Sequence, residues 1–281
     1  MQLSDAHLRQ KDSALRTELR RLGRVLVAYS GGVDSAYLAW VTRQELGNDM
    51  LAVIADSPSL ARTQLADALA FAKEQEIPVE VTATAELGRA EYVRNDGQRC
   101  FHCKDELFTV MEEIRAARGF DAIVYGVNLD DQRDFRPGQQ AAREHQVAAP
   151  LLAAGLTKQE IRELARRAGL RIWDKPASAC LSSRIEYGRP VTPEALTVVE
   201  QGEDAIRALG FRQFRVRHHG EIVRIEIAQE ELERALDPAM AAEFTRIFKG
   251  LGFKFVTLDL EGFRSGSMNS LLPAEQLRRV G

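Results

Sequence analysis

Two hydrophobic patterns alternate along the chain as far as about residue 190. Short, nearly continuous apolar runs recur at RVLVAYS (24–30), MLAVIADS (50–57), PVEVTAT (78–84) and FDAIVYGVN (120–128), with the length of buried strands. Between them, DSAYLAWVTRQELG (34–47), LARTQLADALAFAKEQEI (60–77) and DELFTVMEEIRAARG (105–119) space their apolar residues as helices do. A further helix is predicted over TKQEIRELARRAGL (157–170), where Thr157 and Glu160 have the spacing of a capping box. Repeated β-α units with strands apolar on both faces predict an α/β fold, a doubly wound parallel sheet covered on both sides. Ligands then bind beyond the carboxyl ends of the strands.

The pattern changes near residue 190. TPEALTVVEQGEDAIRALG (192–210) is a predicted helix with Pro193 in its first turn. FRQFRVRHHG and EIVRIEI alternate apolar and polar residues, as the strands of a hairpin do. DPAMAAEFTRIFKGLG (237–252) predicts a helix and FKFVTLDL (253–260) a strand. This part reads as a smaller C-terminal α+β domain with an antiparallel sheet. The boundary falls at about 186–192, giving domains 1–188 and 189–281.

Composition narrows the class. The 281 residues, 45% hydrophobic and 28% charged, suit one large soluble domain or two ordinary ones. No apolar run approaches the roughly 20 residues of a membrane span. MQLSDAHLRQKDSALRTELRRLG at the start is a charged helical pattern without an apolar signal core, so a cytoplasmic protein with no membrane partner is expected. A net charge of −3 counts against a large nucleic-acid partner. Three cysteines are too few for a secreted disulfide framework.

The loop YSGGVDSAYL (29–38) follows the first strand and opens the first helix of the α/β pattern. Gly31 and Gly32 let the backbone curl so that its N–H groups make an anion nest at a helix N-terminus, with Ser30 and Ser35 as further donors. Asp34 is out of place beside an anion unless it holds a metal ion or fixes the loop. The Walker lysine is absent, as is the G-x-G-x-x-G fingerprint.

This loop resembles the pyrophosphate loop of the PP-loop ATP pyrophosphatases. The resemblance implies cleavage of ATP between its α and β phosphates, adenylylation of a substrate oxygen, and displacement of AMP by nitrogen or sulfur. It implies that Ser30, Gly31, Gly32, Asp34 and Ser35 hold pyrophosphate, and that Asp56 and Ser57 lie near the nucleoside. GVNLDD (126–131) is similar to the fourth-strand motif of these proteins, which implies Gly126 near the adenosine and Asp131 near Mg²⁺. Read alone, Asp130 and Asp131 would equally suit a solvated turn.

Cys100 and Cys103 form a C-x-x-C pair, and Cys180 stands far along the chain. Three thiolates could hold a [4Fe–4S] cluster with one iron open, or zinc with His102 or His145 as fourth ligand. They could also be a redox relay, or three unrelated thiols. The flanking segments FRPGQQAAR (135–143), PASACLSSR (176–184), FRVRHH (214–219) and TLDLEGFRSGSMN (257–269) resemble one PP-loop branch, the LarE-type sulfur transferases, over residues 12–280. That resemblance implies conversion of pyridinium-3,5-biscarboxylic acid mononucleotide to its thiocarboxylate for the nickel-pincer nucleotide cofactor of lactate racemase. One version of the branch sacrifices a cysteine, at the position that Ala179 occupies here. The other carries sulfide on a [4Fe–4S] cluster, which implies that Cys100, Cys103 and Cys180 are its ligands and that sulfide or a cysteine desulfurase supplies the sulfur. A homo-oligomer is also implied, a hexamer being the candidate state.

A dicarboxylate mononucleotide calls for fixed cations, and Arg offers a bidentate fork. Arg215 and Arg217 lie two apart on a predicted strand and so share a face. The resemblance places these two, Arg184 and Arg264 at the substrate and phosphate sites, with Arg184 beside the reacting groups and Glu203 as a metal ligand. A carboxylate in QEELERALD (229–237) is expected without a fixed position. His218 and His219 point to opposite faces of a strand, and neither is assigned to catalysis. Two other readings predict different chemistry: a PP-loop tRNA thiolase needs a basic RNA platform, and an ammonia-using amide synthase leaves the cysteines without a task.

Overall fold

The computed structural model describes residues 5–133, 137–176, 179–264 and 266–268. Its elements run α1 (Asp5–Leu22), β1 (Val25–Ala28), α2 (Val33–Leu46), β2 (Met50–Asp56), α3 (Arg62–Glu74), β3 (Val79–Ala83), α4 (Ala90–Val93), α5 (Arg99–Arg118) and β4 (Ala122–Tyr125). They continue as α6 (Gly138–Glu144), α7 (Pro150–Ala153), α8 (Lys158–Arg167), α9 (Pro193–Ala208), β5 (Phe214–His219), β6 (Ile222–Ile227), α10 (Leu232–Ala235), α11 (Pro238–Gly250) and β7 (Phe255–Leu258). Among the described residues no helix is long and apolar enough to cross a membrane.

The chain forms two compact units: Met1–Glu86 with Cys100–Ser178, and Leu87–Arg99 with Ala179–Gly281. The first holds a parallel sheet of order β3-β2-β1-β4. All four residues of β1 are buried, as a strand covered on both faces requires. Val25 and Val27 join a core with Leu15 and Leu19 of α1, Phe71 of α3 and Ile161 of α8. Leu26 and Ala28 pack on the other side, with Phe108 and Met111 of α5 and Ala141 of α6. Winding reverses between β1 and β4, so these two strands flank the switch point where doubly wound proteins take ligands. The capping box predicted at Thr157 is present: its hydroxyl accepts from Glu160 N and the Glu160 carboxylate accepts from Thr157 N.

Helix α5 begins at Arg99 rather than near residue 105, so Cys100 and Cys103 stand in its first turn. Three apart on a helix, they share a face.

The second unit holds a sheet of order β5-β6-β7. The predicted hairpin is β5–β6, antiparallel, turning at Gly220 with φ of 71°. The antiparallel expectation fails for β7, which pairs with β6 in parallel. The helices α10 and α11 lie between these strands and serve as the crossover that parallel pairing demands. Phe214, Val216, Val223, Ile225 and Ile227 face a core that includes Phe244 and Phe248 of α11. The alternate residues Arg215, Arg217, Arg224 and Glu226 occupy the opposite face. Residues 87–99, drawn from the middle of the α/β pattern, belong to this unit: Val191 N donates to Val93 O at 2.9 Å and Gly188 N to Asn95 O at 3.0 Å.

Candidate active site

The glycine loop lies between β1 and α2. Gly31 has φ of 69°, and a Cβ there would come within 2.5 Å of Ala68 Cβ, so both conformation and space require glycine. Ser30 N donates to Ser35 Oγ at 3.2 Å, the two hydroxyls are 3.0 Å apart, and Ser35 Oγ donates to Gly32 O at 3.1 Å. These bonds fold the loop over the start of a 14-residue helix, where amide dipoles favour an anion. Gly126 backs directly onto this start: a Cβ would stand 2.7 Å from Ser35 N and 2.9 Å from Ser35 Cα. The two sequence motifs therefore meet at the switch point.

Asp34 Oδ2 accepts from Lys158 Nζ at 2.6 Å, while its buried Oδ1 has no partner among the described residues. Lys158 N donates to Asp130 Oδ2 at 2.8 Å. Asn128 Oδ1 accepts from Asp130 N at 2.9 Å and Asp131 N at 3.3 Å, and buried Asp131 accepts from Asn128 N at 3.1 Å. The acidic pair is thus a built turn tied to Asp34 through one lysine. Sequence reasoning passed over Lys158. Its signal was there: a cation at the first position of a helix opposes the macrodipole unless acidic groups stand near.

Asp56 and Ser57 form a separate cluster at the end of β2. Arg62 donates to Asp56 Oδ1 at 2.5 Å and to Ser57 O at 2.7 Å. Ser57 Oγ donates to the buried Glu86 carboxylate.

None of the three cysteines is in a disulfide: Cys100 is exposed, and Cys103 and Cys180 are half-buried. Among the described residues no three His, Cys, Asp or Glu side chains converge as a metal-binding group. His145, weighed as a zinc ligand, has Nε2 2.9 Å from Asp105 and Nδ1 3.1 Å from Glu112. His102 packs edge-on to Phe101. The Cys180 thiol lies 3.0 Å from Ser182 Oγ. Behind it, Arg184 donates to the carbonyls of Ala179 at 2.8 Å and Cys180 at 3.1 Å, and forks onto Glu203 at 2.8 and 3.2 Å. Arg184 is thus the frame of the Cys180 turn, and both oxygens of Glu203 are engaged by it. The segments FRPGQQAAR, PASACLSSR and TLDLEGFRSGSMN lie partly outside the described residues, at 135–136, 177–178, 265 and 269.

Arg217 donates to Glu226 at 2.8 Å and to Ser267 Oγ at 3.0 Å, and Arg224 pairs with Glu226 at 3.2 Å and Asp259 at 2.8 Å. Glu226, fully buried, is the hub that the sequence did not disclose. Burial, then the charges of Arg184 and Arg217, pull the Arg215 guanidinium down to about 10. Its guanidinium lies 4.8 Å from the Phe263 ring centroid. Arg184, Glu203, Arg215, Arg217 and Glu226 are therefore one electrostatic group. Arg264 lies at the surface, paired with Glu261 at 2.6 Å and 4.0 Å from Asp259, the partner of Arg224. His218 packs on Phe253, and His219 lies 3.3 Å from Glu186.

These features define a class: a doubly wound α/β protein with a glycine loop at its switch point, joined to a unit whose small sheet carries a buried arginine-glutamate pair. No family model matches the chain. It is 34% identical over 273 residues, 97% of this chain and 98% of the relative, to the pyridinium-3,5-bisthiocarboxylic acid mononucleotide synthase of Lactiplantibacillus plantarum. An uncharacterized protein of Synechocystis is 41% identical over 265 residues, covering 94% of this chain and 99% of its own length. One of Methanocaldococcus jannaschii is 28% identical over 242 residues, 86% of this chain and 91% of its own. The chain belongs to the family of the pyridinium-3,5-bisthiocarboxylic acid mononucleotide synthases, the LarE-type family its motifs resemble.

Proposed function

We propose that this chain is an ATP-dependent sulfur transferase that converts a carboxylate of pyridinium-3,5-biscarboxylic acid mononucleotide to a thiocarboxylate in nickel-pincer nucleotide synthesis. The observation that carries the proposal is the 34% identity to the named synthase across nearly the full length of both chains. In this reading the substrate carboxylate oxygen attacks the α-phosphorus of ATP and pyrophosphate leaves. Sulfide then attacks the acyl carbon and AMP leaves, giving the thiocarboxylate and releasing one proton. The loop amides of Gly31 and Gly32, with the hydroxyls of Ser30 and Ser35, receive the pyrophosphate, and Gly126 keeps β4 close behind them. Asp56 and Ser57 stand toward the nucleoside.

Mg²⁺ suits the acidic turn, because Asp34 Oδ1 is a buried acceptor without a donor. Asp34 and Asp131 would hold it, and it would offset charge on the phosphates. Lys158, released from Asp34, then turns its ammonium to the polyphosphate. Arg215 and Arg217 receive the anionic substrate, with Arg264 at the outer edge. Glu203, engaged here by Arg184, is the candidate metal ligand of the second unit.

The donor set of Cys100, Cys103 and Cys180 suits a [4Fe–4S] cluster: three cysteines outside any disulfide, with no fourth cysteine in the sequence to close the site. Such a cluster would supply an iron with an open position for sulfide. A homo-oligomer completes the proposal.

The test is anaerobic incubation of the protein with the mononucleotide, Mg-ATP and sulfide, followed by mass analysis. Exchange of oxygen for sulfur with matching AMP and pyrophosphate is expected. Pyrophosphate release with ammonium, and no sulfur in the product, would point instead to an amide synthase.

A further inference from the structure

Lys158 opens α8 and bridges the two motifs of the first unit. Its backbone N donates to Asp130 Oδ2 at 2.8 Å, on the turn after β4. Its ammonium donates to Asp34 Oδ2 at 2.6 Å, in the first turn of α2. The residue is thus held at both ends by carboxylates from the turn and the loop.

Asp34 explains why a cation is placed there. A carboxylate in the first turn of a helix agrees with the helix dipole, but in this loop it would repel a phosphate. The ammonium neutralises one of its oxygens. The other, Oδ1, is buried and accepts from no donor among the described residues. The pair is therefore balanced in charge and unsatisfied in hydrogen bonds.

That balance decides what can join it. A divalent cation arriving alone must share Asp34 with an ammonium 2.6 Å from the carboxylate, a like-charge contact. Among the described residues no three His, Cys, Asp or Glu side chains converge as a metal-binding group, so the chain offers such a cation few ligands of its own. Mg²⁺ is commonly held by one or two carboxylates together with substrate phosphates. A polyphosphate changes both conditions. It supplies oxygens to the cation and an anionic acceptor to the displaced ammonium.

We propose that Lys158 is a positioning residue that stands in for the divalent cation at Asp34 and so makes cation entry conditional on the nucleotide. The inference rests on reading the loop as the Mg-ATP site, and it adds an order to that reading. Free Mg²⁺ is held off, and Mg²⁺ and ATP enter together. The coupling is reciprocal, so ATP without a divalent cation is weakened by the same factor.

The test reads metal binding rather than turnover. Mn²⁺, whose free aquo ion gives a paramagnetic resonance signal that is lost on binding, is titrated into nucleotide-free protein. Weak binding is expected for the wild type. Lys158→Met, which keeps the stem and removes the charge, should bind Mn²⁺ about tenfold more tightly, within the usual range of coupling between two ligands. Lys158→Arg keeps the charge and should stay as weak as the wild type, which a purely structural role would not require. Lys158→Met combined with Asp34→Asn should also bind as weakly as the wild type. Unchanged Mn²⁺ affinity in Lys158→Met would overturn the inference, as would a gain that survives Asp34→Asn. If Lys158→Met does not fold, Asp34→Asn alone decides. Nucleotide-free Mn²⁺ binding that Asp34→Asn weakens about tenfold would overturn the stand-in, and binding that it leaves unchanged upholds it. A wild type that binds no Mg-ATP would instead overturn the nucleotide reading, while the nucleotide-free titrations still decide whether Lys158 stands in for a cation at Asp34.

Discussion

Under the proposed function, the two units would meet anions in opposite ways. In the first, the receiving groups are backbone amides at a helix end, and the ion pair beside them is half open to water: the side chains of Lys158 and Asp34 are 34% and 17% exposed. In the second, the cations are side chains sunk into the fold. Arg184 and Glu203 are 2% and 6% exposed, and Arg217 and Glu226 are 7% and 0%. An amide nest can wait in water at little cost, because its dipoles are solvated until a ligand arrives. A buried guanidinium cannot wait unpaired, so its counter-charge must be part of folding. The glutamates of the second unit are therefore structural before they are functional. Burial first, and then the neighbouring Arg184 and Arg217, draw Arg215 down to about 10.

The contrast breaks most decisively at Glu226. Glu226→Ala leaves Arg217 and Arg224 without their shared carboxylate and should lower stability by about 3–5 kcal/mol in urea titration. A loss below about 1 kcal/mol, the range of an exposed pair, would mean the two units do not differ as described. The opposite profile is expected at Asp34. Asp34→Asn should leave stability within about 1 kcal/mol, since its pair with Lys158 is half open. Pyrophosphate release should nonetheless fall by about 10²–10³-fold, on the scale of removing one preorganised electrostatic contact. Gly126→Ala sits between the two. Its Cβ would press on Ser35 backbone at 2.7 Å, so about 1–3 kcal/mol of stability should go, together with ATP affinity. A protein with that substitution and wild-type ATP affinity would detach β4 from the loop's work.

How legible these regions were follows from the same contrast. The loop could be read because its chemistry is contiguous: Gly31, Gly32 and Asp34 follow one apolar strand and open one helix. Thr157 and Glu160 were readable for the same reason. The second unit was less so. Arg-Ile-Glu-Ile along β6 reads as a strand with one wet face, and only pairing with Arg217 across the sheet makes Glu226 a buried hub. Strand direction is not written in alternation, so β7 was expected to be antiparallel. Asn95 lies in a segment with no hydrophobic period, and its burial is explained only by carbonyls some 90 residues away. The early start of α5 was hidden because Cys-Phe-His-Cys favours no helix, and its turn is set by Asp96, which accepts from Gln98 N at 2.8 Å.

The smallest effect sharpens the comparison from the first unit. His145 joins Asp105 and Glu112 across the surface of α5. Partial burial pulls its pKa down, but the two carboxylate hydrogen bonds outweigh burial and the net shift is upward. A histidine that binds its proton more tightly when folded contributes stability in full below its unfolded value, about 6.5, and loses it as pH rises through the raised folded value. Comparing wild type with His145→Gln, the difference in unfolding free energy should therefore be greatest in mild acid and fade on the alkaline side, spanning roughly 0.5–1 kcal/mol. Added salt should shrink it, because Glu112 is 40% exposed. The same salt should leave the loss from Glu226→Ala almost untouched, because no solvent reaches that carboxylate. A salt response shared by both would mean that depth does not separate the charges of the two units.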